Sequence, residues 1–205
     1  MGCLKSIIKK IIFIALVIAF FALGGYTFTM QKIKEYQNPP RSEFVKTERN
    51  YGDFAKVSGD YQLCRNFNLF GYKKIHAKYL PTQQKIAIYD LKNENKISPK
   101  DFETGEIDNK IESLLEQFKN SVITFEDFKI IQKGYYQAKN KKIPYIFYQA
   151  KVKNVPFKSV MGIVACYSTE NQKNKKTSAK VISYMEDLKA FNPAIVRDFV
   201  QATEF

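Results

Sequence analysis

Few of the 205 residues are of the types that making and breaking bonds usually requires. His76 is the only histidine. Alternation along Tyr72 to Leu80 places it with Lys74 and Lys78, opposite Ile75, Ala77 and Tyr79, so it is expected as an exposed strand residue. A histidine-dependent triad would have to run through it, yet no nucleophile or orienting acid can be assigned to it. Only Cys64 and Cys166 lie beyond residue 30, which leaves a zinc site of the usual Cys and His kinds short of ligands. By alternation Cys64 shares a face with Gln62, Asn66 and Asn68, whereas Cys166 sits in a run that is apolar on both faces. A disulfide needs Cα atoms within about 7 Å, and these two are expected to be unbonded. Apart from Gly24-Gly25 the glycines are isolated, so no phosphate-cradling loop is present. The acids of residues 101–116 lack EF-hand spacing and are read as solvated helix acids. With 29 lysines in the chain, a Ser–Lys pair carries no information. No catalytic, cofactor-binding or metal-ligating residue is assigned, and no cofactor is expected.

Aromatic and basic residues do cluster. Tyr135-Tyr136 and Tyr145-Ile146-Phe147-Tyr148 lie close to Lys139, Lys141 and Lys142. Such clusters stack bases or lie in a lipid interface. In a chain with no Trp they also fill a core, and that reading is preferred. The formal net charge is +13, but only Arg41, Arg49, Arg65 and Arg197 carry the planar fork suited to bidentate phosphate and base recognition, so nucleic acid is not the expected partner. Residues 101–127 hold a net charge of −6 against +16 over residues 31–100 and 128–205. Lys139, Lys141, Lys142, Lys173, Lys175 and Lys176 are the candidate patch for an anionic partner.

The elements that must position these residues follow an apolar start. Ile11 to Met30 contains no charged side chain, and twenty helical residues span about 30 Å, the thickness of a bilayer's hydrocarbon core. Lys5, Lys9 and Lys10 precede it and favour a cytoplasmic N-terminus, with the rest of the chain extracytoplasmic. The alternative is a signal peptide cut ahead of Gly25, giving a secreted protein. Met1-Gly2-Cys3-Leu4-Lys5-Ser6 fits an acylation pattern that a spanning helix would make redundant. Residues 1–30 are thus expected as anchor, 31–49 as a polar linker around Asn38-Pro39-Pro40 in which the helix extends as far as Tyr36, and 50–205 as one domain.

Within that domain Tyr61 to Phe70 reads as a strand with Leu63, Phe67 and Leu69 on one face. Tyr72 to Leu80 and Lys85 to Leu91 flank a turn at Pro81-Thr82, which predicts a hairpin. Ile107, Ile111, Leu114, Leu115, Phe118 and Val122 fall at helical spacing, after a short turn that Ser98-Pro99 and Thr104 would cap. Phe128 to Ala138 and Ile143 to Lys153 flank the turn at residues 139–142, with Pro144 at a strand start or an edge. Val160 to Tyr167 is apolar throughout and predicts a central strand. A loop over Ser168 to Lys176 leads to a strand from Thr177 to Met185, and Asn192-Pro193 caps a last helix carrying Ile195, Val196, Phe199 and Val200. The fold class is α+β: an N-terminal transmembrane helix, then a largely antiparallel sheet with a mid-chain helix and a C-terminal helix.

This order of elements over residues 53–205 resembles the PsbP/Mog1-like fold. The resemblance implies a non-catalytic assembly or binding module. The expected function is a membrane-anchored, extracytoplasmic binding module whose partner is a protein or an acidic envelope component. The alternatives are an envelope hydrolase or transferase, and a binder of anionic lipid or polymer through the lysine loops.

Overall fold

Segments rich in Ile, Val, Tyr and Phe fit a pleated surface, and seven of them pair here into one antiparallel sheet. The computed structural model describes residues 25–65, 74–91, 99–110, 124–139, 141–153, 159–170 and 177–205. The strands are β1 (Tyr61–Arg65), β2 (Lys74–Tyr79), β3 (Gln84–Leu91), β4 (Thr124–Ala138), β5 (Lys141–Lys153), β6 (Ser159–Glu170) and β7 (Thr177–Asp187). Their order is β1-β2-β3-β7-β6-β5-β4. Two meanders, β1 to β3 and β4 to β7, join where β3 pairs with β7. The described helices are α1 (Gly25–Gln37), α2 (Arg41–Thr47), α3 (Pro99–Thr104) and α4 (Pro193–Ala202). The class is α+β with an antiparallel sheet, as the sequence predicts.

Two compact units divide the chain, Met1–Asn38 and Pro39–Phe205. In the first, α1 takes up Gly25 to Met30 of the apolar segment and ends at Gln37, one residue past the expected Tyr36. Residues 11–24 lie outside the described residues, and among the described residues no helix is long and apolar enough to cross a membrane.

Residues 39–49 are a correction: expected in the linker, they belong to the second unit. Phe44 of α2 is fully buried in the core. Arg65, at the end of β1, donates from Nε to Glu48 at 2.8 Å and from both Nη atoms to Glu43 at 3.1 Å. Arg41 caps the carbonyls of Phe54, Val57 and Ser58. The polar composition that reads as linker is in fact the outer side of this clamp.

Register sorts the side chains onto two faces. Leu63, Ala77, Ile86, Tyr184, Ile163 and Phe147 oppose one another across β1, β2, β3, β7, β6 and β5 in a single row, and Ile75, Ile88, Ile182, Ala165 and Tyr145 form the next. Against them lie Ile195, Val196, Phe199 and Val200 of α4, the four residues the sequence assigns to that helix's apolar side. Asn192 caps the helix, accepting the Ala194 N–H at 3.1 Å. The Tyr61 hydroxyl of β1 donates to Ile195 O at 2.7 Å, while Arg197 of the same helix shares a cleft with Tyr136 of β4. One helix about 10 Å thick thus reaches both outermost strands of a sheet that would be about 29 Å wide if flat. The sheet therefore curls around α4, and this face is concave.

The opposite, convex face carries the row Cys64, His76, Ala87, Ser183, Val164 and Ile146. Phe102 and Ile107, between β3 and β4 in sequence, pack there against Ile146 and Val164. Of the predicted helical stripe only Ile107 falls among the described residues. The β2–β3 and β4–β5 hairpins are present, the second with Lys141 and Lys142 paired in β5 and not in the turn expected for them. Pro144 falls one residue outside the β5–β6 ladder, where its missing N–H costs nothing. β6 is flanked on both sides, as its apolar run requires, but it continues through Ser168 to Glu170, residues expected in a loop.

Candidate functional site

At the β4–β5 margin of the concave face a cleft of about 290 Å³ opens under the N-terminal end of α4. Its floor depends on an irregularity in β4. The register between Ile130 and Gln132 shifts by one residue, leaving Ile131 as a bulge that is 46% exposed. Beyond the bulge Gln132, Gly134 and Tyr136 face inward, opposite Phe147, Tyr145 and Ile143. Gly134 offers no side chain, and the ring of Tyr145 lies in the space: a Cβ there would stand 2.8 Å from the Tyr145 hydroxyl. Tyr145 stacks on Tyr136 with centroids 4.3 Å apart and planes 24° apart. Phe147 stacks on Phe191 at 5.1 Å and 9°. Gln132 donates its amide to the Tyr145 hydroxyl at 3.3 Å.

Asn192, Pro193, Ala194 and Arg197 form the roof. The free donors of a helix start are already used here: Pro193 has no N–H, Ala194 N–H goes to the Asn192 side chain, and Ile195 N–H goes to the Asn192 carbonyl at 3.3 Å. Positive charge comes instead from Arg197. Its Nε donates to Asp198 at 3.0 Å, and among the described residues its Nη groups make no hydrogen bond. Burial pushes the Tyr136 phenol up and Tyr145 adds to the rise, against a smaller opposing pull from Arg197, so it stays a neutral donor. The lining contains rings, two amides and one guanidinium. Among the described residues no carboxylate, imidazole or thiol lines it.

Of the lysine patch drawn from sequence, Lys139, Lys141 and Lys142 fall among the described residues. Lys139 pairs with Glu204 at 2.8 Å, and Lys141 donates to Ser168 O at 3.2 Å. Strand alternation turns Lys142 to the convex face, away from Lys141. Lys173, Lys175 and Lys176 lie outside the described residues. The aromatic cluster divides likewise. Tyr136, Tyr145 and Phe147 line the cleft, whereas Tyr148 is buried on the convex face against Phe128 at 5.0 Å and Tyr135 is 53% exposed.

His76 is half-buried and not exposed as expected, with Cys64 and Ala87 as its direct cross-strand neighbours. Burial, with Lys85, Lys74 and Lys78 around it, lowers its pKa to about 4. Burial also raises the pKa of Cys64, itself buried despite the polar company it keeps in sequence. Both groups are driven to their neutral forms, the opposite of what a thiolate–imidazolium nucleophile needs. Cys166, pushed up to about 12 by burial, lies on β6, with three strands between it and β1, and neither cysteine is in a disulfide. Of the acidic stretch, Asp101 is buried and paired with Lys110 at 2.7 Å, and Asp108 pairs with Lys133 at 2.6 Å. Among the described residues no three His, Cys, Asp or Glu side chains gather as metal ligands would.

Gln132, Gly134 and Arg197 carry no sequence signal that marks them for a site; they meet only through the bulge and the curl of the sheet. No protein-family model, curated protein or solved structure matches this chain.

Proposed function

We propose that this chain is a membrane-anchored, extracytoplasmic binding module that holds its ligand in the cleft beneath α4 without transforming it. The observation that carries this reading is the lining itself: stacked rings supply contact area, and a few placed polar groups supply orientation, the usual makeup of a small-ligand site. Groups that move protons or attack carbon at neutral pH do not converge there. The engagement of Lys139 and Lys141 within the fold favours the cleft over the lysine patch as the contact surface. The element order, resembling that of PsbP/Mog1-like domains, is in keeping with a binding role. Residues 11–30 serve as the anchor on the strength of their length and the lysines before them.

Two measurements test the proposal. With the full chain in detergent, ligands that raise the unfolding temperature should lose that effect in Tyr145→Leu and should be recovered chemically unchanged. Turnover of a bound compound by the wild-type chain would refute the non-catalytic reading. Protease added outside intact cells should digest the Pro39–Phe205 unit, and its protection there would refute the topology.

A further inference from the structure

We infer that the cleft takes a flat ring bearing a single carboxylate, an aryl or heteroaryl carboxylate, with the ring on Tyr145 and Phe147 and the carboxylate on Arg197. This inference rests on the reading of the cleft as a binding site and adds its ligand class. Flatness follows from a floor built of rings, Tyr145 within 24° of parallel to Tyr136 and Phe147 within 9° of parallel to Phe191. Charge follows from which donors are uncommitted. The guanidinium has its Nη edge open, and a planar fork matches a carboxylate bidentately. Its partner Asp198 takes only Nε and lies outside the lining, which among the described residues holds no acid.

The count of charges limits the anion to one. A polyphosphate or sulfated polymer would need several cations or open helix N–H groups. The first-turn donors of α4 are consumed by Asn192, and the nearest loop lysines are paired elsewhere. A volume of about 290 Å³ suits one or two fused rings.

The test uses the full chain in detergent with three probes: benzoate, benzyl alcohol and acetate, each titrated by calorimetry and ligand-observed NMR. Benzoate should bind at least about tenfold more tightly than benzyl alcohol or acetate, the ratio expected for one charge-assisted pair added to a stacked ring. Arg197→Gln should reduce benzoate to the level of benzyl alcohol and weaken benzyl alcohol far less than benzoate. Arg197 is more than half exposed, so the variant should unfold at the wild-type temperature. Tyr145→Leu should weaken both ring probes. Benzyl alcohol or acetate binding as tightly as benzoate, or a benzoate preference that survives Arg197→Gln, would overturn the ligand class while leaving a binding cleft in place. Binding of none of the three probes would overturn both the ligand class and the cleft as the binding site.

Discussion

Residue 50 is the boundary that composition suggests, and the fold makes it the wrong place to cut. A chain of residues 50–205 lacks Phe44, which is 0% exposed and meets Phe54 edge-on at 5.7 Å. Emptying a buried Phe site costs about 3–5 kcal/mol. The same cut removes Glu43, Thr47 and Glu48, the partners of an Arg65 side chain only 10% exposed. Hydrogen bonds to a charged group are worth about 1.5–3 kcal/mol each, but Glu43 is 52% exposed, so the clamp as a whole is taken as about 2 kcal/mol. The loss of about 5–7 kcal/mol is comparable with the whole stability of an ordinary domain, about 5–15 kcal/mol. Residues 39–205 should therefore unfold cooperatively in urea and by heat, and residues 50–205 should show no cooperative transition or one at much lower urea. Phe44→Ala in the longer chain should lower the melting temperature by about 6–20 °C. Equal urea midpoints for the two fragments, or a Phe44→Ala shift below about 2 °C, would refute the assignment of α2 to the core.

Three further outcomes follow from local geometry. Gly162→Ala should destabilise by about 1–3 kcal/mol, because a Cβ would enter the ring of the buried Tyr148; Gly134→Ala should cost less, since the half-buried Tyr145 can swing away, and comparative denaturation decides it. Lys180→Met should cost about 3–5 kcal/mol by stranding the Asp90 carboxylate, which it pairs at 2.7 Å with Lys180 only 2% exposed, and adding Asp90→Leu should restore much of the loss. His76 should titrate by NMR near 4 and not near 6.5. Between those values the unfolded chain takes up a proton that the folded one refuses, so stability should fall as pH drops through that window; a midpoint at 6–7 would show the imidazole to be solvated.

What the sequence shows and what it hides differ by the range of the interaction. The β2–β3 hairpin, the β4–β5 hairpin, the buried β6 and the capped α4 are each written in a few neighbouring residues: Pro81-Thr82, the turn at residues 139–142, the unbroken run from Val160, and Asn192-Pro193. The joining of β3 to β7 has no such local record, because its partners are about ninety residues apart. Burial of Cys64 and His76 is equally invisible, since it depends on the strands beside them and not on the alternation within their own.

The cleft is the extreme case, because its β4 residues contradict the alternation set by the Ile130 that precedes them. Phe128 packs on the convex face, and Ile130 opposes Tyr148 there. Strict alternation from Ile130 would send Gln132, Gly134 and Tyr136 to that same face. The single extra residue, Ile131, reverses all three and delivers them under α4. Its side chain is left in solvent, a cost that core packing alone does not explain. What the reversal yields is an aromatic floor at the sheet margin, with Gly134 clearing the space that Tyr145 needs to lie on Tyr136. Bulge, glycine and stacked tyrosines are one device, and its product is the cleft.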